Sequence, residues 1–205
     1  MDAESLATLH AKVRKLPHSK WQADYASNGL ERSLARFAAD YGGVDLTPDF
    51  QRGHVWTQSQ QERYIESVYR GTVSSSSLLI QFNAPHWENW DYQGDLPRQM
   101  QCIDGLQRLT AVRAFMADKI RAFGYLASEL KGSPYDPHRP NVIVLKFAVH
   151  TMQTRAELLQ FYLDVNAGGT PHATSEIERV QGLLAHATDT RPSAQHWMLL
   201  RHDRI

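Results

Sequence analysis

Three short polar clusters carry the chemistry this sequence can do, and each lies where an extended segment gives way to a helix. The first is Asp49-Phe-Gln51-Arg52-Gly-His54-Val-Trp56. A guanidinium beside an amide and an imidazole, anchored by an aromatic ring just before a helix start, could clamp a phosphate through the fork of Arg52, with Gln51 adding a donor. The plainer alternative is a solvated loop with Phe50 and Trp56 buried. The second cluster is Ile103-Asp104-Gly105-Leu106-Gln107-Arg108-Leu109-Thr110. A carboxylate leaves a strand, a glycine lets backbone approach a ligand, and Gln107 and Arg108 stand on a first helical turn whose N–H groups and dipole favour an anion. Arg108 can neutralise phosphate charge, and Asp104 can hold Mg²⁺ or orient a nucleophile. The same residues would also serve as a capped helix with an exposed arginine.

The third cluster is Asn166-Ala-Gly168-Gly169-Thr170-Pro-His172-Ala-Thr174-Ser-Glu176. Its glycines, with Asn166 and Thr170 beside them, can form a backbone nest for an anion, although glycine-bearing helix connections are usually only structural. His54 and His172 are the candidate proton carriers. None of the ten histidines has a partner at metal-ligand spacing, so a transition-metal site is not expected. His86-Trp87-Glu-Asn-Trp90-Asp-Tyr92 places three aromatics in a polar loop, either to stack unpaired bases or to plug the loop against the core. Phosphate loops of the G-x-x-x-x-G-K-[ST] type, G-x-G-x-x-G, H-E-x-x-H and G-x-S-x-G are all absent.

The elements that must position these clusters follow from periodicity. Leu6, Leu9, Val13 and Leu16 form one helical stripe, and Leu30, Leu34, Phe37 and Ala38 another, so the first forty residues read as two amphipathic helices, the second stopped by Gly42-Gly43. Residues 44 to 50 read as extended, since Pro48 pushes Thr47 out of the helical region. Thr57 caps a helix carrying Tyr64, Ile65, Val68 and Tyr69, and a strand follows from Leu78 to Phe82. A strand through Met100, Cys102 and Ile103 delivers the chain to Asp104, and Leu106, Leu109, Val112 and Phe115 pattern the next helix. A further strand is expected over 141–149, then a helix capped by Thr154 and a last one opened by Thr174. The domain reading is a helical extension over 1–29, a nucleotide-binding domain over 30–187 and a loosely attached tail over 188–205 with Trp197 as anchor. The fold class is α+β.

The 205 residues hold 22 Lys and Arg against 22 Asp and Glu, so no whole-molecule field drives the chain onto nucleic acid or an anionic membrane. Contact with DNA would need a local patch. No apolar run approaches the roughly 18 residues of a membrane span, and Met1-Asp-Ala-Glu lacks a signal-peptide pattern. One cysteine, Cys102, allows no internal disulfide. The expected location is the cytoplasm, that of the host if the protein is phage-encoded.

Gln51-Arg52 with Val55-Trp56, then Ile103 to Thr110, then Val165-Asn-Ala-Gly-Gly-Thr-Pro171 with Glu176, together resemble one family, the domain of unknown function 262. It is also known as the GmrSD restriction-enzyme N-terminal domain and is related to the ParB/sulfiredoxin-like fold. The resemblance spans most of the chain. It implies a ParB/sulfiredoxin-like core with a small mixed sheet flanked by helices, binding ATP or another nucleoside triphosphate and acting against modified phage DNA. Carried onto this chain, Asp104, Gly105, Gln107 and Arg108 form the nucleotide site, with Gln51, Arg52 and Asn166 nearby and Gly168, Gly169 and Thr170 completing it. The family's usual first glutamine of the motif is Leu106 here, which puts nucleotide choice in question. Members that cut DNA carry a separate C-terminal His-Asn-His nuclease, and this chain ends some twenty residues after the last shared helix, too few for one. The resulting expectation is a Mg²⁺-dependent phosphohydrolase or phosphotransferase with catalytic Asp104, Arg108, Gln51, Arg52 and His54. Its partners would be a nucleoside triphosphate and modified DNA, whose hydroxymethylated base is one candidate acceptor; a homo-oligomer stays open. The alternative is a non-catalytic module that senses DNA or nucleotide and regulates a partner nuclease. The cysteine of sulfiredoxins has no counterpart, because Cys102 falls on a core pattern.

Overall fold

Polar and apolar side chains alternate along the strands of this sequence, and the alternation sorts them onto two covered faces of one sheet. The computed structural model describes residues 2–13, 17–167 and 174–189. Its strands are β1 (Trp21–Ala26), β2 (Val44–Asp45), β3 (Leu79–Asn83), β4 (Met100–Asp104) and β5 (Val144–His150). Its helices are α1 (Ala3–Lys12), α2 (Leu30–Asp40), α3 (Gln58–Tyr69), α4 (Leu106–Met116), α5 (Arg155–Ala167) and α6 (Thr174–Asp189). The sheet order is β1-β5-β3-β4-β2. β1 and β5 pair antiparallel, β5 and β3 parallel, β3 and β4 antiparallel, and β4 and β2 parallel. The protein is therefore α+β with a five-stranded mixed sheet flanked by helices, as its sequence leads one to expect.

One face buries Ile80, Phe82, Met100, Cys102, Leu145, Phe147 and Val149 under α2, α3 and α4. On the other, Ile103 joins Phe50 and the apolar side of α5 and α6 in a second core. The caps follow the sequence. Thr57 and Gln60 make a reciprocal capping box on α3, and Thr154 and Glu157 exchange the same pair of bonds at the start of α5.

Two expectations change. Residues 21–26 belong to no helix but form β1, which runs antiparallel to β5 from Trp21 opposite Val149 to Ala26 opposite Val144. Trp21, Ala23 and Tyr25 alternate with exposed Gln22 and Asp24, a short period-two signal that the helical stripes on either side mask. The segment 1–29, expected as a helical extension, thus supplies the edge of the sheet. Of the extended residues 44–50 only Val44–Asp45 pairs as a strand. In the aromatic loop the plug wins over base stacking: His86 and Tyr92 are buried, Trp87 stacks on Tyr41, and of the loop's three aromatics only Trp90 stands exposed. The sequence beyond 189, with Trp197, lies outside the described residues.

Candidate functional site

The turn from β4 into α4 can be made only by glycine. Gly105 caps the helix at φ +97°, a left-handed conformation, and a Cβ there would lie 2.7 Å from Ile80 Cδ1 and 3.0 Å from both Ile80 Cα and Leu79 O. Conformation and space both require it. The first turn of α4 therefore packs directly on β3. A register shift between Gln81 and Phe82 makes Asp104 the partner of Gln81 while Phe82 faces Cys102. The extra residue in β4 turns Asp104 to the side that Gln81 occupies, as bulges beside functional sites do. Arg108, one helical turn on, donates from Nη2 to Asp104 Oδ2 at 2.5 Å and to Leu79 O at 2.9 Å. Its Nε is buried without a partner among the described residues. Leu106 packs in the main core and also reaches the cavity described below.

The loop carrying Arg52 is fixed from three directions. Gln51 Nε2 donates to the carbonyls of Cys102 and Ile103 at 3.1 and 3.2 Å. Gln107 Oε1 accepts from the N–H groups of Val55 and Trp56, and its Nε2 donates to Gly53 O. From α6, Arg179 donates to the carbonyls of Asp49 and Phe50 while Glu176 holds its guanidinium; from α5, Arg155 pairs with Asp49. Phe50 is fully buried, edge-on to Tyr162. With the loop so held, the Arg52 guanidinium makes no hydrogen bond or ion pair among the described residues. His54 is exposed and meets Gln61 Nε2 at 3.0 Å.

These elements enclose a cavity of about 400 Å³. Gln51, Arg52, Trp56, Asp104, Gly105, Gln107, Arg108 and Asn166 all line it, so residues 115 positions apart in sequence, from Gln51 to Asn166, meet in one place. Asn166 is anchored through Nδ2 to Tyr162 O. His54 is not among the lining residues. Gly168, Gly169, Thr170 and His172 lie outside the described residues. Three lining residues escaped sequence reasoning: Ser76, Leu79 and Gln81. The signal for Gln81 was there, a lone amide inside the apolar run Leu79-Ile-Gln-Phe82. Arg179 was missed because nothing in a helix sequence says which carbonyl an arginine will reach. A larger groove, about 760 Å³, runs along α5 past Met152, Ala156 and Phe161, but none of the three clusters' candidate residues lines it.

The electrostatics of the smaller cavity suit an anion. Among the described residues Arg52 and Arg108 outnumber the one lining carboxylate, Asp104, and the N–H groups of the first turn of α4 have no acceptor within a helix. Cys102 is fully buried and burial pushes its thiol far up, which removes it as a nucleophile. Among the described residues no group of three His, Cys, Asp or Glu side chains could hold a metal ion. A divalent cation here would have Asp104 as the one carboxylate among the described lining residues and would take further ligands from phosphate and water, the manner in which Mg²⁺ accompanies nucleotides.

Among the described residues no helix is long and apolar enough to cross a membrane. The family model for the GmrSD restriction endonuclease, N-terminal domain, matches residues 36–141, just over half of the chain. No curated protein and no solved structure matches it. The matched span takes in the Arg52 loop and the β4–α4 turn, whereas Asn166 and Arg179 complete the site from outside it.

Proposed function

Since the chain belongs to the family of the GmrSD restriction endonuclease N-terminal domain, we propose that it binds a nucleoside triphosphate in the β4–α4 cavity and transfers or hydrolyses its terminal phosphate, in conflict with phage carrying modified DNA. The observation that carries this reading is the convergence on one cavity of a glycine-capped helix start, the Asp104–Arg108 pair and Arg52, whose guanidinium makes no hydrogen bond or ion pair among the described residues. The volume lies within the range of small-ligand sites, roughly 300–1,000 Å³.

In this reading Arg52 grips the phosphates with its planar fork, and the α4 N-terminus binds the oxygens nearest Gly105. Arg108 turns from its bond with Asp104 toward the phosphoryl group as negative charge arrives, which frees the Asp104 carboxylate to orient the attacking oxygen or to hold Mg²⁺. The ion, when bound, neutralises charge on the transferred group. Gln51 and Gln107 act at one remove, since their amides hold the loop that presents Arg52. With water as acceptor the products are a nucleoside diphosphate and phosphate; with a hydroxyl of a modified base they are the diphosphate and a phosphorylated base.

A second reading, a nucleotide- or DNA-sensing module that controls a partner nuclease, draws support from one feature: among the described residues no histidine lines the cavity and the one lining carboxylate is ion-paired, so none of these residues stands ready as a base. Both are tested by following γ-labelled phosphate from ATP, GTP, CTP and UTP with Mg²⁺, in the absence of DNA and with plain or hydroxymethylated DNA. Turnover that disappears in Arg108→Ala establishes the enzyme, with label on DNA marking the kinase and free phosphate the hydrolase. Binding without turnover establishes the sensor. A wild-type protein that neither binds nor turns over any of the four refutes both.

A further inference from the structure

Three glutamines line the cavity: Gln51, Gln81 and Gln107. The NH₂ groups of Gln51 and Gln107 are engaged by backbone carbonyls. That of Gln81 donates to nothing among the described residues, because its one hydrogen bond runs from the other end of the amide, where Oε1 lies 3.0 Å from His150 Nε2. We infer that Gln81 is a ligand-contacting residue, donating from Nε2 to a phosphate oxygen, and that His150 is the positioning residue that holds the amide in this sense. The inference rests on the phosphate-binding reading of the cavity given above.

Placement and orientation both support it. Gln81 is the cross-strand partner of Asp104 at the bulge, so it stands beside the Asp104–Arg108 pair and next to the helix start, at the end of the cavity where charge is concentrated. His150 is buried under the ring of Phe161, 4.5 Å away, and desolvation lowers its pKa to about 4, so the ring is neutral at neutral pH. One of its nitrogens, Nδ1, has no partner among the described residues. A buried acceptor without a donor is tolerated better than a buried N–H without an acceptor, which puts the ring proton on Nε2 and makes Gln81 Oε1 its acceptor. The carbonyl end is thereby turned away from the ligand and the donor end is left to it. A neutral donor adds affinity for phosphate oxygens without adding charge, in a site that already holds two arginines.

Gln81→Glu is the informative variant, because it keeps an acceptor for His150 and exchanges the free NH₂ for an oxygen that repels phosphate. Calorimetric titration with ATP and with inorganic tripolyphosphate should show both bound on the order of tenfold or more weakly, the loss expected for a hydrogen bond to a charged group. Gln81→Leu, which removes the donor without adding charge, should weaken both in the same direction and serves if the glutamate variant does not fold. His150→Leu should weaken both ligands in the wild-type background and leave affinity unchanged in the Gln81→Leu background, a coupling that a purely structural histidine would not show. Wild-type affinity in both Gln81 variants, with binding lost in Arg52→Ala, overturns this inference and leaves the nucleotide reading standing. Loss of ATP affinity with tripolyphosphate affinity intact overturns the assignment to phosphate. Absence of binding by the wild-type protein overturns both.

Discussion

Gly105 is the residue on which the site turns. Any side chain there meets the β3 backbone and Ile80 at 3.0 Å or less and must adopt φ +97°. Gly105→Ala should therefore destabilise the fold by about 1–3 kcal/mol, from left-handed backbone strain with the clash added, and the loss should appear as a lower midpoint in urea denaturation. An unchanged midpoint would show that the turn adapts without cost. At this scale the sequence was legible in part. Asp104, Gly105, Arg108 and Arg52 could be grouped from the sequence because their types and order are distinctive, and all four line one cavity. The bonding of Gln51 and Gln107 was not legible, since an amide suited to phosphate is equally suited to a carbonyl. His54 looked like a proton carrier by adjacency, yet its ring sits on Gln61 rather than among the lining residues.

At the scale of elements, helices with strong caps and long stripes were readable and the edge strand was not. Thr57 and Thr154 mark helix starts through local chemistry, whereas β1 takes its identity from a partner more than a hundred residues away. The pairing of β3 with β5 also places His150 under Phe161, and this has a pH consequence. Burial lowers the folded-state pKa of His150 to about 4, below the value of about 6.5 in the unfolded chain. The unfolded state then binds more protons between those two values, so stability is present above pH 6.5 and is lost as pH falls toward 4. Linkage gives a loss of about 2 kcal/mol between pH 7 and pH 5 from this one group. His86, also lowered by burial, acts in the same direction. Thermal melts across that interval should fall more steeply for the wild-type protein than for His150→Gln; equal slopes would show that His150 does not titrate as a buried group.

Over the whole molecule, the sheet collects three segments that the sequence holds far apart. The cavity receives Arg52 from a loop pinned by α5 and α6, Asp104 and Arg108 from the β4–α4 turn, and Asn166 from the end of α5. The α+β class and the family were legible from motif order, while the cavity itself, and the part of Gln81 and Arg179 in forming it, required the tertiary arrangement. The central claim is that this cavity binds the phosphates of a nucleotide and that Arg52, whose guanidinium pairs with nothing among the described residues, grips them. The most direct measurement is the affinity of the wild-type protein and of Arg52→Ala for each Mg²⁺-nucleoside triphosphate, taken with melting temperatures. The account predicts binding of at least one nucleotide by the wild type, weakened on the order of tenfold or more by Arg52→Ala at unchanged melting temperature. Equal affinity in the two proteins, or no binding by the wild type, would contradict it.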